Sequence, residues 1–139
     1  MTPSPTSARS VVAAFEGCEA SSALLSSLVA EGWTVEALCV DAGQDLPPDL
    51  SERATALGAS RVRVLERRQQ TFERRLRWLI AANALHGGAD PLWWLAERYA
   101  WPEAMAEAAR SSEATAIAWT CPDPEESALW RRLLQRGGG

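Results

Sequence analysis

The residues best equipped for chemistry crowd into one short stretch, Glu16-Gly17-Cys18-Glu19-Ala20-Ser21-Ser22. A cysteine just ahead of a helix gains thiolate character from the helix dipole, but Glu16 and Glu19 act in the opposite sense, because nearby negative charge disfavours thiolate. Nucleophilic chemistry at Cys18 is therefore not expected. Cys39 lies inside an apolar run and Cys121 ends another, so packing accounts for both. Three cysteines without CxxC spacing support neither a disulfide framework nor a zinc site. All 14 basic residues are arginine, which excludes Schiff-base chemistry, a phosphate-loop lysine and a lysine general base. His86, the single histidine, follows a helical pattern and precedes Gly87-Gly88. An imidazolium there complements a helix C-terminus, a capping role rather than a catalytic one.

Arg61, Arg63, Arg67, Arg68, Arg74, Arg75 and Arg77 are half of all the arginines. Such a group suits phosphate or RNA, yet a solvated face paired with Glu66 and Glu73 is the simpler reading, and nucleic acid is not the expected partner. The 7 tryptophans divide in two. Trp33, Trp78 and Trp119 fall at helix or strand positions that core burial explains. Trp93, Trp94, Trp101 and Trp130 gather in the second half of the chain and are expected at an interface, or collapsed as filler.

These groups have to be positioned by an alternating series of strands and helices. Val11 to Phe15 is a short apolar strand, followed by a loop and a periodic helix closed by Gly32. Val35 to Val40 is a second buried strand ending at Asp41-Ala42-Gly43-Gln44. Pro47-Pro48 opens a helix through Leu57, with Gly58 as its stop. Arg61 to Leu65 alternates as a strand with one wetter face. A long helix is expected from Gln69 to Leu85, then helical pieces at Pro91 to Tyr99 and Glu103 to Arg110, broken near Pro102. Thr115 to Thr120 is a fourth strand, and Glu125 to Gln135 a last helix. This order predicts an α/β fold with one doubly wound parallel sheet, right-handed crossovers, and a ligand site beyond the carboxyl ends of the strands.

The 139 residues are 47% hydrophobic and 23% charged, which fits one domain over 11–136 with a frayed tail at 1–10 and a disordered end at 137–139. A net charge of -4 argues against a global grip on nucleic acid or an anionic membrane. No apolar run approaches the roughly 20 residues of a membrane span, and a cytoplasmic setting is expected.

The loops at the strand ends resemble those of the N-terminal nucleotide-binding domain of argininosuccinate synthase, in the PP-loop ATP pyrophosphatase superfamily. That family's A-Y-S-G-G-L-D-T-S aligns without a gap on Ala14 through Ser22. Its A-D-L-G-Q matches Val40 through Gln44, its L-G-A-S-K-V matches Leu57 through Val62, and its A-N-A-L segment matches Ala82 through Leu85. Its H-G-C-T-G-K-G-N-D-Q-V-R-F falls on Trp119 through Arg131. The resemblance covers nearly the whole chain and about a third of a family enzyme. With the crossover rule it implies the strand order 3-2-1-4 of an adenine-nucleotide fold, and it further implies a link to arginine biosynthesis and a vestigial nucleotide site at Ala14, Phe15, Glu16, Gly17, Cys18, Ser21, Ser22, Val40 and Asp41.

The functional residues depart from that pattern. A phosphate cradle needs bare glycine backbone and no competing negative charge. Here Cys18 replaces the second glycine, Ala20 replaces the family aspartate, and Glu16 and Glu19 flank the loop. One like-charge pair about 4 Å apart is worth roughly 4 kcal/mol at an effective dielectric near 20. The family's citrulline-contacting positions fall on Asp90 and Leu95. Its aspartate-contacting positions fall on Pro122, Glu126 and Ser127, and its arginine on Trp130. The expectation is a catalytically degenerate domain without cofactor or metal, serving as a binding or assembly protein, homodimeric or heteromeric through its tryptophans. Two alternatives stay open. One is a nucleotide-binding fragment or subunit of an argininosuccinate synthase-type ligase, with Mg²⁺ offsetting Glu16 or Glu19. The other is an adenosine nucleotide sensor.

Overall fold

The computed structural model describes residues 8–86, 88–92 and 94–136. Of the tail expected at 1–10, residues 1–7 lie outside the described residues, as do the end expected at 137–139, Trp93 and the side chains of His86, Asp90 and Trp94; Ser10, the last residue of that expected tail, is the first residue of a strand.

The elements follow in the order β1 Ser10–Ala14, α1 Glu19–Ala30, β2 Thr34–Asp41, α2 Leu50–Ala56, β3 Arg61–Glu66, α3 Arg68–Thr71, a π-helical turn Phe72–Leu76 and α4 Arg77–Ala81. Then come β4 Leu85–His86, β5 Asp90–Pro91, α5 Trp94–Ser112, β6 Ala116–Ala118 and α6 Pro124–Arg136. Four strands form one all-parallel sheet in the order β3-β2-β1-β6, the order expected from the sequence with β6 as the fourth strand. β1 and β2 lie inside it with helices over them. Their residues Val11 to Ala14 and Val35 to Val40 are therefore buried as near-continuous apolar runs. The one charge in the middle of β2, Glu36, is met across the sheet by Arg63 Nε at 2.7 Å. At the other edge Thr115 Oγ1 donates to the Ser10 carbonyl at 2.8 Å, which pins the start of the short β6 to β1.

The chain steps from β1 outward to β3, then returns past β2 and β1 to β6. Right-handed crossovers in opposite directions put α1 and α2 on one face and α5 on the other. α1 packs on β1 and β2, and α5 on β1, β2 and β6. The single core joins both layers, with Leu25 and Leu50 from one side and Trp101, Ala104, Met105 and Ala108 from the other.

Two helix expectations are corrected. The helix sought from Gln69 to Leu85 ends at Ala81, because Asn83 adopts φ 46° and the chain closes with Ala84 N–H to Leu79 O and Asn83 N–H to Ile80 O. This is the double hydrogen bond of a left-handed C-terminal cap. A small antiparallel hairpin of β4 and β5 follows. The break sought near Pro102 does not occur: α5 runs unbroken through it. Proline removes one N–H there, but its ring is fully buried beside Trp101, Ala104 and Met105, and core packing outweighs the lost bond.

Candidate functional site

The first loop leaves the sheet at Phe15, which is buried and donates its N–H to Leu38 O at 2.8 Å. Gly17 has φ 78°, and its carbonyl accepts from Arg53 Nη2 of α2. A Cβ on Gly17 would lie 2.8 Å from Leu50 Cδ1, so glycine is required there by both backbone and neighbours. The N-cap of α1 is Cys18, whose Sγ accepts from Ser21 N at 3.5 Å. Ser21 Oγ donates to Cys18 O at 3.1 Å and accepts from Glu16 N–H at 3.3 Å, and Ser22 N–H is bonded to Cys18 O at 3.0 Å. Within this loop Glu16 N–H, Ser21 N–H, Ser22 N–H and Ser21 Oγ are bonded to neighbouring loop atoms, and the Gly17 carbonyl is held by α2.

The second loop is closed in the same way. Asp41 accepts Gly43 N–H at 3.0 Å and Arg68 Nε at 2.9 Å, with Arg68 Nη2 at 2.9 Å. The Arg68 hydrogen bonds hold its carboxyl below the usual range. Gln44 Nε2 donates to Val40 O at 2.7 Å, so the carbonyl of Val40 is already occupied. Ala14 is buried at the end of β1, in register with Leu38.

The third loop meets the first. At the carboxyl ends of β1 and β6, on either side of the point where strand order reverses, lies a cleft of about 270 Å³ lined by Glu16, Glu97, Arg98, Cys121, Glu126 and Trp130 among others. Desolvation, then the charges of Glu97 and Glu126, push the Glu16 carboxyl up although the residue keeps an open face. Glu97 is raised by desolvation and by Glu126, against Arg98. Arg98 Nε stands 3.3 Å from Glu126 Oε1. Burial pushes the Cys121 thiol up, and Cys39 to about 11, so neither is a thiolate at neutral pH.

Trp101 and Trp130, expected on an aromatic interface, are interior, 2% and 5% exposed. Their rings stack with centroids 6.3 Å apart, and Trp119 leans on Trp130 at 6.2 Å. Aromatic volume seated between α5, α6 and β6 completes the core. Trp78, expected in the core, is instead 59% exposed under the Arg77 guanidinium, on a helix that projects beyond the sheet. Four of the seven arginines form ion pairs with distant acids, Glu36 for Arg63, Glu107 for Arg67, Asp41 for Arg68 and Glu103 for Arg75, while the Glu66 carboxylate accepts the Arg68 backbone N–H at 2.6 Å and Glu73 accepts from Gln69 Nε2 at 3.0 Å. Sequence reasoning missed Glu97, Arg53 and Leu50. Each sits on a helix remote from the loop it serves, and no local spacing marks such a residue.

Fold and site together describe a parallel α/β domain whose switch point is walled by carboxylates. No protein-family model matches the chain. Over 112 residues it is 34% identical to the argininosuccinate synthase of Hyperthermus butylicus, across 80% of this chain and 28% of that protein. Over 111 residues it is 35% identical to the argininosuccinate synthase of Rubrobacter xylanophilus, across 79% of this chain and 27% of that protein. These similarities support an argininosuccinate synthase-like domain, in line with the resemblance read from the loops. The chain spans little more than a quarter of the length of these curated relatives. Among the described residues no helix is long and apolar enough to cross a membrane.

Proposed function

We propose that this is a degenerate argininosuccinate synthase-like domain, of PP-loop ancestry, that no longer adenylates a substrate and acts as a binding or assembly protein. One observation carries the reading: the loop after β1 is closed on itself. Cys18 caps α1, Ser21 is used within the loop, Arg53 holds the Gly17 carbonyl, and Leu50 fills the space over Gly17. A triphosphate would have to displace those contacts and approach Glu16 and Glu19, both exposed. A helix N-terminus binds anions when its N–H groups are free to point at them; here Ser21 N–H already points at the Cys18 sulfur.

Calorimetric titration with ATP, AMP and adenosine, with and without Mg²⁺, tests this. ATP is expected to bind more weakly than about 1 mM, without hydrolysis. The triple substitution Glu16→Ser, Cys18→Gly and Ala20→Asp should strengthen nucleotide binding even with no catalysis restored. Micromolar ATP binding by the unaltered chain would overturn the reading in favour of a nucleotide-binding subunit whose carboxylates act through Mg²⁺.

The assembly role, as a homodimer or heteromer, is supported by apolar surface on the arm between β3 and α5. Phe72, Trp78 and Ile80 are 48%, 59% and 63% exposed there, large apolar side chains of the kind that partners cover.

A further inference from the structure

We infer that the cleft between the carboxyl ends of β1 and β6 binds a small organic cation that also carries a neutral oxygen acceptor, an amino alcohol being the simplest chemistry of that kind. The inference rests on the proposal above that a polyphosphate is no longer the ligand of this strand end. Three carboxylates reach the cleft from three different elements: Glu16 after β1, Glu97 from α5 and Glu126 from α6. Arg98 is the one cationic side chain in the lining and stands against Glu126, so negative charge is in excess. Partial desolvation, then repulsion among the glutamates, raises Glu16 and Glu97, and a bound cation offsets the repulsion.

The spacing argues against a bare metal ion. Among the described residues no three acidic, histidine or cysteine side chains lie close enough together to hold one. The charge is instead spread around about 270 Å³, less than the space a drug-sized ligand occupies, and this suits an ammonium group donating to more than one carboxylate.

A second observation points to the oxygen. Trp130 is 5% exposed and forms part of the cleft wall, and its Nε1 has no acceptor among the described residues. A buried donor left unpaired is costly, and such a group is commonly satisfied by something that visits the site. The missing partner must be an acceptor. An anionic one is opposed by Glu16, Glu97 and Glu126, which leaves a hydroxyl or carbonyl oxygen on the same molecule as the cation.

The test uses the full chain, ¹⁵N-labelled, at pH 7 and constant chloride, with ethanolammonium chloride as the probe. The Trp130 indole N–H signal is assigned by its loss in Trp130→Phe. Ethanolammonium is expected to shift that signal saturably, with a midpoint on the order of 10 mM for so small a ligand. Glu97→Gln should weaken the midpoint at least about fivefold, since one charge-assisted hydrogen bond is lost. Ethanol, which has the acceptor alone, and tetramethylammonium, which has the charge alone, should each leave the indole unshifted at the same concentration. An unmoved indole with ethanolammonium, an equal midpoint in Glu97→Gln, or an equal shift with either control overturns the inference. ATP, titrated separately and read at the amides of Gly17 and Cys18, reports on the earlier proposal by itself. A response there would overturn the loss of phosphate binding and leave the indole result to stand or fall alone.

Discussion

Glu97 sits where burial and the charge of Glu126 both favour its protonated form, with Arg98 giving only partial relief. A carboxyl whose folded-state pKa lies above its unfolded value of 4.5 binds its proton more tightly in the folded chain. Its contribution to stability is fully present below the unfolded value and is lost as pH rises through the folded one. Glu97→Gln is therefore expected to stabilise the protein at pH 7, by less than about 1 kcal/mol after allowance for solvent screening at a partly open site. The gain should shrink to nothing in more acid solution. Urea denaturation of both proteins at pH 7 and near pH 4 checks it, and a larger gain at the acid end would contradict the sign. Asp41 is the opposite case, lowered by Arg68, with stability present above its unfolded pKa and lost as pH falls through the folded one.

At the scale of elements, the packing of α5 and α6 against β6 depends on a few large side chains. α6 offers one fully enclosed residue to the core, Trp130, which stacks on Trp101 of α5 and touches Trp119 just beyond β6. Removing it opens a cavity beside the Trp101 and Trp119 rings that it contacts. Trp130→Ala is expected to cost about 3–5 kcal/mol, read as a lower midpoint in chemical denaturation. Trp130→Phe, which keeps a ring but not the unpaired N–H, should cost distinctly less. Equal losses would mean that ring volume is not what holds α6. The helix ends show how unevenly such features are written. Gly32 and Gly58 mark the ends of α1 and α2 plainly, because both adopt positive φ. Asn83 and Glu113 end the following helices in the same conformation without a glycine. The first of these departures is why the helix after β3 reads four residues too long in the sequence, Leu85 against Ala81.

For the whole molecule the prediction concerns association. β3 and β6 are both edges of the sheet, and β3 leaves Val64 47% exposed. The arm beyond it carries Phe72, Trp78 and Ile80 outward, beside two apolar grooves of about 360 Å³ each. An unpaired edge and an apolar arm are surfaces that proteins cover. Sedimentation velocity at about 50 µM, a concentration that detects even weak pairing, is expected to show a species larger than the monomer. Trp78→Ser with Ile80→Ser should return it to monomer. A monomer from the unaltered chain would remove the self-assembly reading.

The strands and their parallel sheet were legible in the linear chain because they depend on local signals, and the strand order needed the family resemblance besides. Apolar runs too short for helices, glycines at helix ends and the right-handed crossover suffice to place β1, β2, β3 and β6 and to point at their carboxyl ends. The acidity of the loop was equally plain in Glu16 and Glu19. What converges on that loop was not. Arg53 and Leu50 reach Gly17 from α2, Glu97 and Glu126 join Glu16 from α5 and α6, and Trp101 and Trp130 turn inward rather than out. Pro102 likewise stays within a continuous helix because its ring is enclosed by the core. These outcomes depend on contacts between residues tens of positions apart, whose energies exceed local propensity and leave no periodic trace in the chain. The sequence alone therefore determined the parallel sheet and pointed to its strand ends, and the tertiary structure alone decided that the first of these loops is held by α2 beside a carboxylate-lined cleft.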